Sequence, residues 1–248
     1  MSGIKLPPFF LKPVVRIYAN IFSIPLEWYD FDLNQSASFN QFFTRSFKPG
    51  MREFSGVLSA PAEGQIYAAG EITDGKMLQI KKQEISVNDL IKSDNVKYKG
   101  YINLYLSPSD YHHVHAPCDM EVISIKYIPG YYYTVAPATA RKKPVYLRNE
   151  RVVMRAQTVW GEISLVLIAA LNVGNISLEP LRGRAPSGKE IKDFIDFTGK
   201  TSFRQGDQIA VFYLGSSVVL LSPGIMNHRN TLTPVKLGEA LDYLVPDD

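Results

Sequence analysis

Val211-Phe-Tyr-Leu-Gly-Ser-Ser-Val-Val-Leu-Leu221 is the stretch on which the reading of this chain turns. Two apolar runs, rich in β-branched and aromatic residues, flank Leu214-Gly215-Ser216-Ser217. Runs of this kind and length read as buried strands. A Gly-Ser pair between them is most simply a turn or a bulge. It also has a chemical reading. Glycine leaves its carbonyl uncovered, and the hydroxyl of the next serine can attack that carbonyl from within one tight turn. Gly215 and Ser216 are therefore candidates for a self-cleavage site, with a weight set by the rest of the chain.

A second stretch adds to it. Tyr105-Leu-Ser-Pro-Ser-Asp-Tyr-His-His-Val-His-Ala-Pro117 holds three of the chain's four histidines, His112, His113 and His115. In a strand, His113 and His115 share one face and His112 takes the other. Imidazoles titrate near neutral pH, so a cluster beside Asp110 suits acid–base catalysis. A polar loop is the bland alternative.

Composition sets bounds. With 248 residues, 46% hydrophobic and 21% charged, the chain can bury one substantial core. The single cysteine, Cys118, excludes a disulfide framework and a cysteine-based zinc cluster. A net charge of +3 suits an anionic membrane surface, and no nucleic-acid partner is expected. The purest apolar run, Leu165–Leu171, falls far short of the roughly 20 residues of a spanning helix. No signal-peptide layout opens the chain. Near the N-terminus, Leu11, Val14, Val15, Tyr18, Ile21 and Phe22 recur at helical spacing, with Lys12, Arg16 and Asn20 opposite. That helix either packs on its own domain or lies in a lipid interface.

Beyond residue 55 the pattern is one of short strands: Gln65–Ala69, Tyr101–Leu106, Glu121–Tyr127, Arg151–Ala156, Ile163–Leu171 and Ile209–Tyr213, each bounded by turn residues. Asp89–Ile91 and Gly188–Phe197 read as helical connectors, and Tyr131-Tyr-Tyr133 as a loop lining a groove. The fold class is α+β, with N-terminal helices followed by a mainly antiparallel β body with few connecting helices.

The histidine stretch together with Leu214-Gly-Ser-Ser217 resembles the phosphatidylserine decarboxylase family, whose members are pyruvoyl-dependent and self-processing. Phe42-Phe-Thr-Arg-Ser-Phe-Lys-Pro-Gly50, Ala60-Pro-Ala-Glu-Gly64, Pro129-Gly130 with Val135-Ala-Pro137, Asn149-Glu-Arg151 and Asn172-Val-Gly174 continue the likeness in order. The resemblance covers roughly residues 39–240. It divides the chain into an N-terminal helical, membrane-associating segment, 1–38, and a self-processing decarboxylase domain, 39–248.

The resemblance also implies a mechanism. His115 takes the proton of Ser216, Glu63 orients His115, and Ser216 attacks the Gly215 carbonyl. The resulting ester eliminates and hydrolyses, leaving a β chain of 1–215 and an α chain of 216–248 that begins with a pyruvoyl group. That covalent cofactor acts as an electron sink for decarboxylation. His112 serves in proton donation or in positioning the substrate carboxylate, His113 has no assigned role, and Thr44 and Arg45 are candidates for phosphate contact. The expected substrate is a phospholipid, at the cytoplasmic face of the cell membrane and in peripheral attachment. A homodimer stays open, and no metal is expected.

The chain departs from the family pattern in places. Glu63 stands where the family has Asp, Ser217 where it has Thr, and Gln208 and Ala210 replace an acidic residue and a glycine. Two other readings remain: a family member that is inactive or acts on another substrate, and a zinc peptidase using His113, His115, Asp119 and His228.

Overall fold

The computed structural model describes residues 8–34, 38–78, 83–94, 98–140, 144–170, 176–185, 189–195, 201–213, 215–227 and 232–244. Leu214, Asn172-Val-Gly174 and His228, all singled out above, lie outside the described residues.

The body is a nine-stranded antiparallel sheet. Its order is Lys192–Ile195, Met120–Ile128, Arg151–Thr158, Gly161–Ala169, Ser216–Ser222, Gly100–Leu106, Gly64–Glu71 and Thr233–Val235, with Ser202–Phe203 also pairing to Met120–Ile128. A four-stranded sheet runs Gly183–Arg184, Ile176–Leu178, Gln208–Phe212, His113–His115. Its apolar residues Val114, Ile176, Ile209 and Phe212 share one buried cluster with Leu104, Leu167, Val218 and Leu220 of the large sheet. The other face of the large sheet packs Val166, Val219 and Leu221 against the short helices Val87–Ile91 and Val145–Arg148.

This double covering explains why Ser216–Ser222 does not alternate. All of its residues are buried, so neither face selects polar side chains. Each buried Val or Leu there contributes about 1.5–3 kcal/mol. The expected β-rich α+β class is the one observed.

Two local expectations are corrected. Lys192–Ile195 is a strand and not part of a helix; it pairs with Ser124–Tyr127, and Asp193 meets Lys126 at 3.6 Å. The Lys/Glu content of Gly188–Phe197 favours helix, but the outer edge of Met120–Ile128 has backbone groups that need a partner, and tertiary pairing wins.

The first helix, Pro8–Ile21, splits its apolar residues in a way the sequence reading did not resolve. Leu11, Val15 and Ala19 are buried with Phe42, Tyr29, Tyr111 and Leu237. Phe9, Phe10, Val14, Ile17 and Ile21 face outward, Ile21 at 70% exposure. The expected face of Leu11, Val14, Tyr18 and Ile21 is therefore two stripes, one bracing and one bare. No helix among the described residues is long and apolar enough to cross a membrane.

Candidate active site

The site forms where neighbouring strands of the large sheet end together. Ser216, the first residue of its strand, lies opposite Leu106 on one side and Ala169 on the other. Gly64 begins the next strand beyond Leu106, and a Cβ on it would collide with the Tyr105 carbonyl oxygen. Only glycine permits that approach, which brings Glu63 to the same end of the sheet.

Ser216 is fully buried, and strand alternation puts its side chain on the face of Val218 and Leu220, toward the histidine-bearing sheet. Its Oγ has no hydrogen-bond partner among the described residues. An unpaired buried hydroxyl costs free energy, and the neighbouring Ser217 Oγ is buried without a partner as well, so this strand opens with two such groups.

On the Ala169 side, Asn149 acts as a clamp. Its Nδ2 donates to the carbonyls of Tyr133 and Ala169, both at 2.7 Å, and its Oδ1 accepts from Tyr133 N at 3.1 Å. Glu150 accepts from the hydroxyls of Tyr127 and Tyr132. The Asn149-Glu-Arg151 motif thereby fastens the Tyr131–Tyr133 loop beside the strand end.

The histidines occupy three different settings. His112 is fully buried, with Nδ1–H donating to the Asp110 carbonyl at 2.8 Å and Nε2 without a partner. Its ring lies 4.1 Å from that of Phe43. Burial pushes its pKa down to about 3, so it is neutral at working pH. His113 stacks on Tyr111 at 4.6 Å, and both its nitrogens are engaged, by Gln208 and by the Thr44 carbonyl. His115 places Nδ1 2.8 Å from the Gly206 carbonyl and Nε2 3.2 Å from the Tyr111 hydroxyl. A carbonyl only accepts, so Nδ1 carries the hydrogen and Nε2 is the lone pair. Burial pushes the His115 pKa down to about 4, opposed by the Gly206 carbonyl.

The expected Glu63–His115 pair is not formed. Both oxygens of Glu63 are held by Arg52, at 2.6 Å from Nε and 2.7 Å from NH2, and Leu237 N adds a contact at 3.4 Å. The longer side chain reaches sideways to the guanidinium, whose bidentate geometry outcompetes a single imidazole nitrogen. Arg52 also lies over the ring of Phe47 at 4.2 Å, so the pair fastens the N-terminal segment to the body. With side chains only 11% and 19% exposed, a double-mutant cycle of Arg52→Ala and Glu63→Gln is expected to give a coupling of about 1–3 kcal/mol in urea melts. Zero coupling would show that the pair is only a surface contact.

Arg45, a candidate for phosphate contact, is 2% exposed and donates to the carbonyls of Phe42 and Ser109. Its guanidinium sits 4.3 Å from the Tyr29 ring, and Thr44 Oγ1 donates to Asn40 O. These contacts tie the helix Phe39–Phe43 to the Ser107–Asp110 turn. Asp110 accepts from Ser107 N, and burial raises its pKa to about 6.

The zinc reading needs free ring nitrogens. Those of His113 and His115 are engaged, and Asp119 accepts from Gln205 N. Sequence reasoning missed Arg52, Tyr111 and the turn holding Gly206. Arg52 carries no spacing signal, whereas Gln205-Gly-Asp207 could be read as a turn but not as a partner of His115.

A buried serine at a strand end, on the face turned toward the sheet that carries the buried imidazoles, supplies the parts of a serine–histidine chemistry on a β-rich scaffold. Comparison with known families sharpens this: residues 39–241 match the family described as phosphatidylserine decarboxylase, and the chain belongs to that family. It is 35% identical over 230 residues to a protein of Variovorax paradoxus, covering 86% of this chain and 80% of that one. It is 35% identical over 220 residues to one of Hahella chejuensis, covering 84% and 74%. With a protein of Methylobacillus flagellatus it shares 34% over 248 residues, covering 92% and 86%. All three carry the name phosphatidylserine decarboxylase proenzyme.

Proposed function

We propose that the protein converts phosphatidylserine to phosphatidylethanolamine after cutting itself between Gly215 and Ser216, and that residue 216 becomes a pyruvoyl group. The observation that carries this reading is the fully buried, unpartnered Ser216 Oγ at the first position of a central strand. That position fits the group: residue 216 would be anchored by ladders on both sides, in a setting closed to bulk water. When present, the pyruvoyl carbonyl supplies the electron sink that a decarboxylation requires.

The chain's own residues do the rest. His115 is the base for Ser216, through the Nε2 lone pair that Tyr111 covers in the precursor. Tyr111 must release that nitrogen before it can accept a proton. His112 offers a buried Nε2 that can exchange a proton with the substrate. Glu63 acts through Arg52, holding residues near Phe54, whose ring lies 5.7 Å from that of His115. Incubating the purified protein with phosphatidylserine vesicles and measuring released carbon dioxide tests the reading. No release from a fully cleaved preparation would favour a family member acting on another substrate.

A phospholipid substrate must be met at a surface, and we propose peripheral attachment on the cytoplasmic face of the cell membrane. The bare stripe of Phe10, Val14, Ile17 and Ile21 supports it, with the +3 net charge as a weaker aid. Because Leu11, Val15 and Ala19 brace the body, deleting the helix would confuse anchoring with folding. Ile17→Asp with Ile21→Asp is expected to weaken binding to anionic vesicles by roughly a hundredfold, from two lost apolar side chains. Melting and self-cleavage should stay as in the parent. Unchanged vesicle binding would remove the stripe from the membrane contact.

A further inference from the structure

His115 has an orienting partner that no motif announced. Its Nδ1–H donates to the Gly206 carbonyl at 2.8 Å, the place a carboxylate takes in a serine–histidine–acid arrangement. Glu63 is held by Arg52 instead. The turn Arg204–Asp207 that presents this carbonyl is fixed on every side. Gly206 N donates to Ala116 O at 3.0 Å and Ala116 N to Asp207 O at 2.8 Å, beside His115 on both counts. Arg204 N donates to Asp207 Oδ2 at 2.7 Å, and Gln205 N to Asp119 Oδ1 at 2.8 Å. Gln205 Nε2 reaches the carbonyls of Gly56 and Pro117. Gly206 has φ of +94°, a conformation that favours glycine.

Around the His115 ring, the titratable groups are Tyr111 and His113 from its own segment and Asp207 from the turn, with the ring of Phe54 on the N-terminal segment. Asp207 is the anion among them. Its charge favours the protonated imidazole, and that of His113 opposes it.

Given the reading of His115 as the processing base, we propose that the turn Arg204–Asp207 is its positioning element: the Gly206 carbonyl fixes the tautomer and Asp207 supplies the counter-charge for the imidazolium formed when Ser216 gives up its proton. The proton moves from Ser216 Oγ to His115 Nε2 as the oxygen bonds to the Gly215 carbonyl carbon and the carbonyl π pair shifts onto its oxygen. The imidazolium, flanked by the Gly206 carbonyl and the Asp207 carboxylate, then returns the proton to Ser216 N as the Gly215 C–N bond breaks and the ester forms.

Asp207→Asn tests it, because asparagine keeps an oxygen to accept from Arg204 N–H and removes only the charge. The variant should mature about tenfold more slowly on the neutral plateau, with the acid limb of its pH–rate profile moved to lower pH. In a Ser216→Ala precursor, imidazole nitrogen spectra should show His115 protonated at Nδ1 and bare at Nε2, and Asp207→Asn should lower its titration midpoint. A folded Asp207→Asn precursor with the parent's plateau and acid limb would overturn the role of Asp207, and a His115 protonated at Nε2 would overturn that of Gly206. His115→Gln maturing at the parental rate would overturn the base assignment itself, a separate failure.

Discussion

Ser216→Ala is expected to remain a single chain indefinitely, while the parent resolves into fragments 1–215 and 216–248. The loss is total, because in the proposed mechanism the Ser216 hydroxyl is the group that attacks the Gly215 carbonyl. The larger parental fragment should end in a normal glycine carboxylate. The smaller should resist N-terminal sequencing and react with carbonyl reagents, because it begins with a ketone where an amine would be. Alanine fills the space of the serine Cβ, and the hydroxyl removed has no partner, so the variant should melt at or slightly above the parental precursor. That sign separates chemistry from folding. Intact mass measurement decides it: a Ser216→Ala chain that splits at Gly215 would end the mechanism.

His112→Asn should mature yet decarboxylate about 10²–10⁴-fold more slowly, the range a positioned acid–base group contributes. The two steps separate because the histidines do. His115 has both nitrogens engaged, by the Gly206 carbonyl and the Tyr111 hydroxyl, whereas His112 keeps a bare Nε2 inside the protein. With its pKa pushed down to about 3, His112 stays neutral across the working range, so its loss should scale the rate without adding a limb between pH 5 and 8. Asparagine retains a donor for the Asp110 carbonyl, and the turn should hold. Full decarboxylation by cleaved His112→Asn would free His112 from the reaction.

Much of this was legible in the residues themselves. Burial of the strand Ser216–Ser222 on both faces writes a continuous apolar run, and that is the signal it left. Gly64 and Asn149 were visible as motif residues, although the collision with Tyr105 and the clamp on Ala169 that explain them needed coordinates. The partner of Glu63 was not legible. Arg52 shares no element with it, and reach across a loop leaves no period in a sequence. Nor was the split of the first helix: Leu11 and Val14 look alike as residues, and only the position of Phe42 and Tyr111 decides which of them is covered.

The strand that begins at Ser216 is hydrogen-bonded on both sides, to Gly161–Ala169 and to Gly100–Leu106. A cut at its first residue thus severs the covalent chain without giving the small fragment an edge from which to peel away. Before the cut, the polypeptide folds as one molecule, at a rate indifferent to dilution. Afterwards, the same strand must be recaptured from solution each time the protein is unfolded, and recovery becomes a second-order encounter that fails as the protein is diluted. If the proposed cut is made, maturation is in this sense a one-way passage: the cleaved enzyme would depend for its architecture on having been assembled while it was still whole.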